Sequence, residues 1–236
     1  MQESAMPLPP NRLLASLSPD DFALLKPRLR QFEMAKGSVL VEGGGEIHQV
    51  YFPHSSIISL VVRLQIGSTV EVATVGRDGL FGAFSALDGK ISLNTAIIQM
   101  PGSASVIDTA HLRVVAEQSA SFRALLIRHE QVIHAQALQS AACNASHTVA
   151  SRLARWLLRA RDLSDSNTLS FTQEFLAQML GTQRNSVSLV ANAMQQSGLI
   201  RYRRGQIEIT NLNGLEEHSC ECYATVKAYY AKLISH

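Results

Sequence analysis

The chain has 236 residues, 21 basic and 19 acidic side chains, a formal charge of +2 and 46% hydrophobic residues, a globular composition with room for two modest domains. Its longest apolar runs, such as Leu60-Val61-Val62, are far too short to span a membrane, and no basic-then-apolar leader opens it, so a cytoplasmic location is expected. Three cysteines, an odd number, argue against a disulfide framework.

The first ten residues, with Pro7, Pro9 and Pro10, read as a mobile lead-in. Ser18-Pro19-Asp20-Asp21 then spells a helix start, with a capping serine, proline at the first helical position and acids in the first turn. From Met34 to about Asp108 the texture changes. Ten of the fourteen glycines fall between Gly37 and Gly102 and separate short runs rich in Val, Ile, Thr and aromatics at 38–41, 49–52, 57–64, 69–75, 95–100 and 104–107. Many short strands punctuated by turns predict an antiparallel jelly roll, or β-roll.

After Thr109 glycine and proline vanish until Gly181, and the apolar period becomes helical. Phe122, Leu126, Val132, Ile133 and Ala141 belong to a stripe broader than one partner needs. One edge is expected against the barrel and the other against a twin helix, which assigns these five residues to a dimer interface. Past Ser146, the candidate hinge at 146–148 leads to a second helix with Val149, Leu153, Trp156 and Leu157 on one side and Arg152, Arg155 and Arg159 on the other. Up to Ser146 there are 11 basic and 12 acidic residues, and beyond it 10 and 7, so the cationic excess lies in the second half.

That half contains the most informative stretch, 172–200. Thr172 caps a helix with Leu176, Met179 and Leu180 inward, and Gly181 breaks it. Thr182 can cap a second helix whose Val187, Val190, Ala191 and Met194 form its inner face. The outer face presents Gln183, Arg184, Asn185, Ser188, Asn192 and Gln195, side chains suited to base edges because arginine pairs with guanine and Asn or Gln with adenine, and Leu189 falls near it, to touch a thymine methyl or pack sideways. Two alternating runs around Arg204-Gly205 predict a hairpin wing whose Arg201, Arg203 and Arg204 can reach phosphates. The expected contacts with double-stranded DNA are Thr172, Gln173, Thr182, Gln183, Arg184, Asn185, Ser186, Ser188, Leu189, Arg203 and Arg204. One more helix is expected from Asn213 on, with Leu215, Val226, Tyr229 and Leu233 inward.

Other chemistries fit less well. Cys220-Glu221-Cys222 lacks a second cysteine pair or histidines at finger spacing, so no structural zinc and no other metal is expected. Cys143, on the long helix, is read as a small buried apolar residue, with a redox-controlled dimer as the sharper alternative. A cupin-like metal enzyme would need converging histidines, and no close His-x-His pair occurs; no phosphate loop or nucleophile elbow is present either. An interaction module built on the β-roll is the remaining rival. A non-enzymatic role is expected.

A β-roll, a long helix and a winged helix-turn-helix, in that order, resemble the cyclic-AMP receptor and fumarate-nitrate regulator (Crp/Fnr) family of bacterial transcription factors. The most specific match is Gly181-Thr182-Gln183-Arg184-Asn185-Ser186-Val187, against the turn and opening of that family's recognition helix. The resemblance implies an α+β architecture: residues 1–146 as a sensor β-roll with a dimerisation helix at about 110–146, and residues 147–236 as a winged helix-turn-helix. It implies a homodimeric, sequence-specific regulator on a palindromic operator, with RNA polymerase a further partner if it activates. By the same resemblance an effector pocket falls on Gly82, Ala83, Asn94, Thr95, Ala96, Ala137 and Leu138. Yet Gly82-Ala83 stands where cyclic-nucleotide binders carry a glutamate after the glycine, and Asn94-Thr95-Ala96 where they carry an arginine, so control by cyclic AMP is not expected. No cysteine precedes Cys143 to hold the family's iron-sulfur cluster. Haem would need a ligand among His48, His54, His111, His129 and His134, residues read here as ordinary hydrogen-bonded histidines. No cofactor is predicted.

Overall fold

The computed structural model describes residues 9–65 and 67–234; residues 1–8 of the lead-in and the side chain of Leu233 lie outside the described residues. Helices α1 (Arg12–Ala15) and α2 (Pro19–Leu25) open the chain, the second capped by the Ser18 hydroxyl, which accepts from the Asp21 N–H. Seven strands follow: β1 (Arg30–Met34), β2 (Val39–Val41), β3 (Gln49–Pro53), β4 (Ile57–Arg63), β5 (Thr69–Val75), β6 (Thr95–Met100) and β7 (Gly102–Asp108), with the short helix α3 (Ala83–Ala86) between β5 and β6. They pair antiparallel in two sheets, β1-β7-β3 and β2-β6-β4-β5, which enclose Met34, Ile58, Leu60, Phe81, Ile98 and Val106. The β-roll is thus present, with β1 as a strand the glycine spacing did not announce. Its first four residues, Arg30 to Glu33, are all exposed, which hides the alternation.

Helix α4 (Thr109–Gln118) leads to α5 (Ala120–Ser146), 27 residues and about 40 Å long. One face of α5 is consumed within the protomer, and this corrects the interface expected from the sequence. Phe122 and Leu126 join Leu13, Leu14, Leu25 and Phe52 in a fully buried cluster, and Val132 is buried beneath Val226 and Tyr230. Ile133 is half-buried against the β-roll core. Of the five residues assigned to a partner, only Ala141 is exposed. Periodicity identified apolar faces, but the cover came from α1, α2 and the C-terminal helix of the same chain. Among its exposed positions Ile127, Gln131, His134, Leu138, Ala141 and Ala145 follow at alternating spacings of four and three, a continuous outward seam.

The chain breaks at His147 and Thr148, both extended, and Thr148 caps α6 (Val149–Ser164) through Ser151 N–H. Then come β8 (Thr168–Leu169), α7 (Gln173–Leu180), α8 (Arg184–Gln196), β9 (Ile200–Arg203), β10 (Gln206–Ile209), α9 (Leu212–His218) and α10 (Cys222–Ile234). A third small sheet, ordered β8-β10-β9, forms the wing. Its core is continuous with the β-roll: Ile57 and Val61 of β4 pack in one cluster with Trp156, Phe171, Leu176 and Val187. Trp156 meets Phe171 edge-on at 4.7 Å, and a Cβ at Gly181 would stand 3.0 Å from Val70.

Polar contacts fasten the same seam. Trp156 Nε1 and the Ser59 hydroxyl both donate to the Glu71 carboxylate, at 2.9 and 2.6 Å. Burial raises the Glu71 carboxyl to about 7, outweighing those two hydrogen bonds and the positive charges of Arg155 and Arg159, which pull it down. Arg159 pairs with Asp78 at 2.6 Å and lies over the Tyr230 ring, and Arg152 donates to the Leu180 carbonyl. Arg152 and Arg159 of α6 therefore face inward partners rather than a nucleic acid. Among the described residues no helix is long and apolar enough to cross a membrane.

Candidate nucleic-acid interface and effector cavity

The turn between α7 and α8 is built on Gly181, whose φ of +57° lies in the left-handed region that glycine tolerates best. The Thr182 N–H turns back to the Ala177 carbonyl, closing the end of α7. This overrules the expected capping of α8 by Thr182, because the reversal absorbs it and Gln183 becomes the N-cap of α8, with no side-chain cap bond. Thr172 does cap α7, its hydroxyl accepting from Phe175 N–H at 3.1 Å. The Ser188 hydroxyl donates to Gln173 Oε1 at 2.6 Å, locking the recognition helix to the first turn of α7. Val187, Ala191 and Met194 are buried between the two helices.

Opposite that face Gln183, Arg184, Asn185, Leu189 and Asn192 are exposed, Leu189 at 72% of its surface. Ser186 and Ser188 are half-buried on its flank. Gln195 leaves the row: its Oε1 accepts the Tyr202 N–H at 2.7 Å and ties α8 to the wing. At the wing tip Arg204 and Gly205 both have positive φ, +48° and +78°, as a two-residue primed hairpin requires. Arg201 is spent on Glu208 across the strands at 2.8 Å, whereas Arg203 and Arg204 project. Among the described residues the side chains of Arg184, Asn185, Arg203 and Arg204 make no hydrogen bond or ion pair. One surface thus gathers three arginines beside a row of amides, a donor-rich face that nothing among the described residues satisfies.

A cavity of about 420 Å³ lies between the β-roll and α5. Its walls are chiefly apolar, with Ile47, Leu60, Val75, Leu80, Phe81 and Ile133, and its polar lining comprises Lys90, Ser92, Asn94 and Glu130. Of the expected pocket residues Gly82 and Asn94 do line it. Ala83 and Ala96 are wholly buried in the core. Thr95 is occupied elsewhere, donating to Glu42 and accepting from Gly43 N–H. Ala137 and Leu138 are also displaced from this role, since Leu138 faces outward with 59% exposure and α5 meets the cavity one to two turns earlier, through Glu130 and Ile133. The charged lining residues Lys90 and Glu130 were not legible, because neither sits in a motif. Two of the candidate haem histidines are engaged otherwise: His129 Nε2 accepts from Leu80 N–H at 3.1 Å, and His54 bonds Ser105 at 2.9 Å.

Comparison with known proteins adds to this geometry. Residues 151–218 match the family described as the Crp-like helix-turn-helix domain. No curated protein matches the chain. Among solved structures, FixK2 from Bradyrhizobium japonicum superposes with a TM-score of 0.70 at 17% identity, covering 81% of this chain and 98% of its own. A CRP-family transcriptional regulator from Thermus thermophilus gives 0.60 at 22%, covering 80% and 96%. The c-di-GMP responsive global regulator CLP of Xanthomonas campestris gives 0.63 at 14%, covering 82% and 100%. The chain thus carries a Crp-like helix-turn-helix domain at residues 151–218, set on the fold of the Crp/Fnr-family transcription regulators.

Proposed function

We propose that the protein is a DNA-binding transcription regulator that acts as a homodimer on a palindromic operator and does not answer to cyclic AMP. The observation that carries the DNA reading is the exposed face of α8, where Arg184 and Asn185 stand without internal partners, flanked by Arg203 and Arg204 at the wing. In this arrangement Arg184 reads a guanine edge, Asn185 a neighbouring base, and the wing arginines hold phosphates.

Dimerisation is carried by the outward seam of α5. Ile127, Leu138, Ala141 and Ala145 offer an apolar strip that nothing among the described residues covers, and Leu138 lies near its middle. A two-fold axis along that seam would present two recognition helices to half-sites about 34 Å apart. Residues 1–146 then act as the sensor and dimerisation unit and residues 147–236 as the reader, with the break at His147 and Thr148 between them.

The cavity supports an effector less polar than a cyclic nucleotide. No arginine lines it, and its one basic side chain, Lys90, is exposed, with the Glu130 carboxyl in the same lining. A cyclic phosphate drawn into such walls would lose its hydration, at a cost of several kcal/mol, without a buried counter-charge. The decisive experiment is selection of bound sequences from a random duplex library by the purified protein without ligand. Enrichment of a two-fold palindrome establishes the reading. Only sequence-blind, salt-sensitive retention, persisting with candidate ligands and with cyclic AMP, would sink it.

A further inference from the structure

Four side chains left unrelated by the sequence meet at the helix break. Cys143 is on the last turn of α5, His147 is its C-cap, and Cys220 and Cys222 bracket the start of α10. Their ligand atoms all lie within 4.8 Å of one another. Cys143 Sγ stands 3.5 Å from Cys220 Sγ, and Cys222 Sγ stands 3.6 Å from His147 Nδ1. A tetrahedron with metal–sulfur bonds of about 2.3 Å and a metal–nitrogen bond of about 2.0 Å has edges of roughly 3.5 to 3.8 Å. We propose that Cys143, His147, Cys220 and Cys222 form a structural Zn²⁺ site that pins the C-terminal helix to the link between the long helix and the DNA-binding domain.

The surroundings are those of a metal site rather than of packed thiols. The three cysteines are buried together, whereas His147 is partly exposed and opens the site to solvent. His147 Nε2 lies 3.2 Å from the Glu221 carboxylate, which would hold the ring with Nδ1 directed at the metal. Gln139 Nε2 donates to Cys222 Sγ at 3.0 Å, a bond that stabilises a thiolate. Arg152 and Arg155 lie within electrostatic reach of Cys143, so a site of three thiolates and one divalent ion, with net charge −1, has nearby cations. On binding, the three thiols release their protons to solvent and no electron moves.

An isolated Cys-x-Cys could not suggest this, because its partners lie 73 to 79 positions upstream and one of them is a histidine outside finger spacing. The closure joins segments far apart in sequence and is correspondingly effective as a clip. The edge lengths also favour a single ion, since an iron-sulfur cluster distributes its thiolates over different irons and spreads them further.

The test uses the full chain, expressed in zinc-supplemented medium and kept reduced. We expect about one Zn²⁺ per chain by elemental analysis, retained through gel filtration, and on Co²⁺ replacement the visible bands of a tetrahedral thiolate site. Strong chelation should lower Tm by about 5 °C or more, with recovery on adding Zn²⁺. Glu221→Gln, which removes no ligand, should weaken Zn²⁺ binding about 10- to 100-fold. His147→Cys should keep the Co²⁺ bands, and His147→Ala should lose or shift them. Substoichiometric metal with no Co²⁺ bands in the reduced wild-type chain would overturn the proposal. So would an iron-sulfur chromophore after anaerobic purification, or a Cys143–Cys220 disulfide in a thiol count. These outcomes are independent of whether the protein selects a DNA sequence.

Discussion

The arginines of α6 and those of α8 and the wing are put to opposite uses. Arg159 is held between Asp78 and the Tyr230 ring, and Arg152 is nearly buried against the Leu180 carbonyl. Arg184, Arg203 and Arg204 are exposed, with no described partner. The first set is compensated inside the fold and stabilises the docking of two units. The second keeps its hydrogen-bonding capacity for something outside the chain. The lesson is that a cationic stretch of sequence carries no address: α6 looks as basic as a nucleic-acid helix, and its burial decides otherwise.

This contrast can be broken by substitution. Arg159→Ala strands Asp78 in a largely buried site and should cost about 3 to 5 kcal/mol in denaturant unfolding, with the selected DNA sequence unchanged in whatever remains folded. Leu138→Glu tests the seam of α5: it should leave the unfolding midpoint near that of the parent and shift sedimentation toward monomer by a tenfold or greater rise in dimer Kd, since burial of one such side chain is worth about 1.5 to 3 kcal/mol. Retention of a parent-like dimer would place the interface elsewhere. Arg184→Ala should cost about 1 to 3 kcal/mol on the best operator and relax preference at one position per half-site, with stability unaltered.

A smaller effect concerns Glu71, which faces Ser59 from β4 and Trp156, Arg155 and Arg159 from α6. Its folded pKa, about 7, exceeds the ordinary 4.5, so the folded state holds the proton more tightly. Its contribution is complete below the unfolded value and is lost as pH rises through about 7. Stability should fall mainly between about pH 5 and 7 on this account, by about 1 kcal/mol over the last of those units, and Glu71→Gln should flatten that part of the profile. Arg203→Ala, the mildest change, should weaken all sequences alike and reduce the salt slope by about one.

How much of this was legible depended on how local the information was. The α7–α8 pair could be read because its apolar positions, the Thr172 cap and Gly181 lie within one stretch, each element consistent with the next. Six of the seven β-roll strands were equally visible between their glycines. Long-range cover was not. Phe122, Leu126 and Val132 were assigned to a partner because the period of α5 reveals faces but not which segment lies over them, and α10, about 100 residues later, covers part. The cavity suffered for the same reason: Lys90 and Glu130 come together only in three dimensions, whereas Ala137 and Leu138 were placed by analogy along the helix.

The seam of α5 has one further consequence. Its exposed strip mixes Ile127 and Leu138 with Gln131, His134 and two alanines, so a pair formed there is held by little apolar surface. Where chains are mostly single, the amount of the proposed two-headed protein grows with the square of the number of chains. Operator occupancy under such a regime rises steeply over a narrow range of expression, so the gene encoding the protein would itself act as a dial, with doubling of synthesis counting nearly fourfold at the promoter.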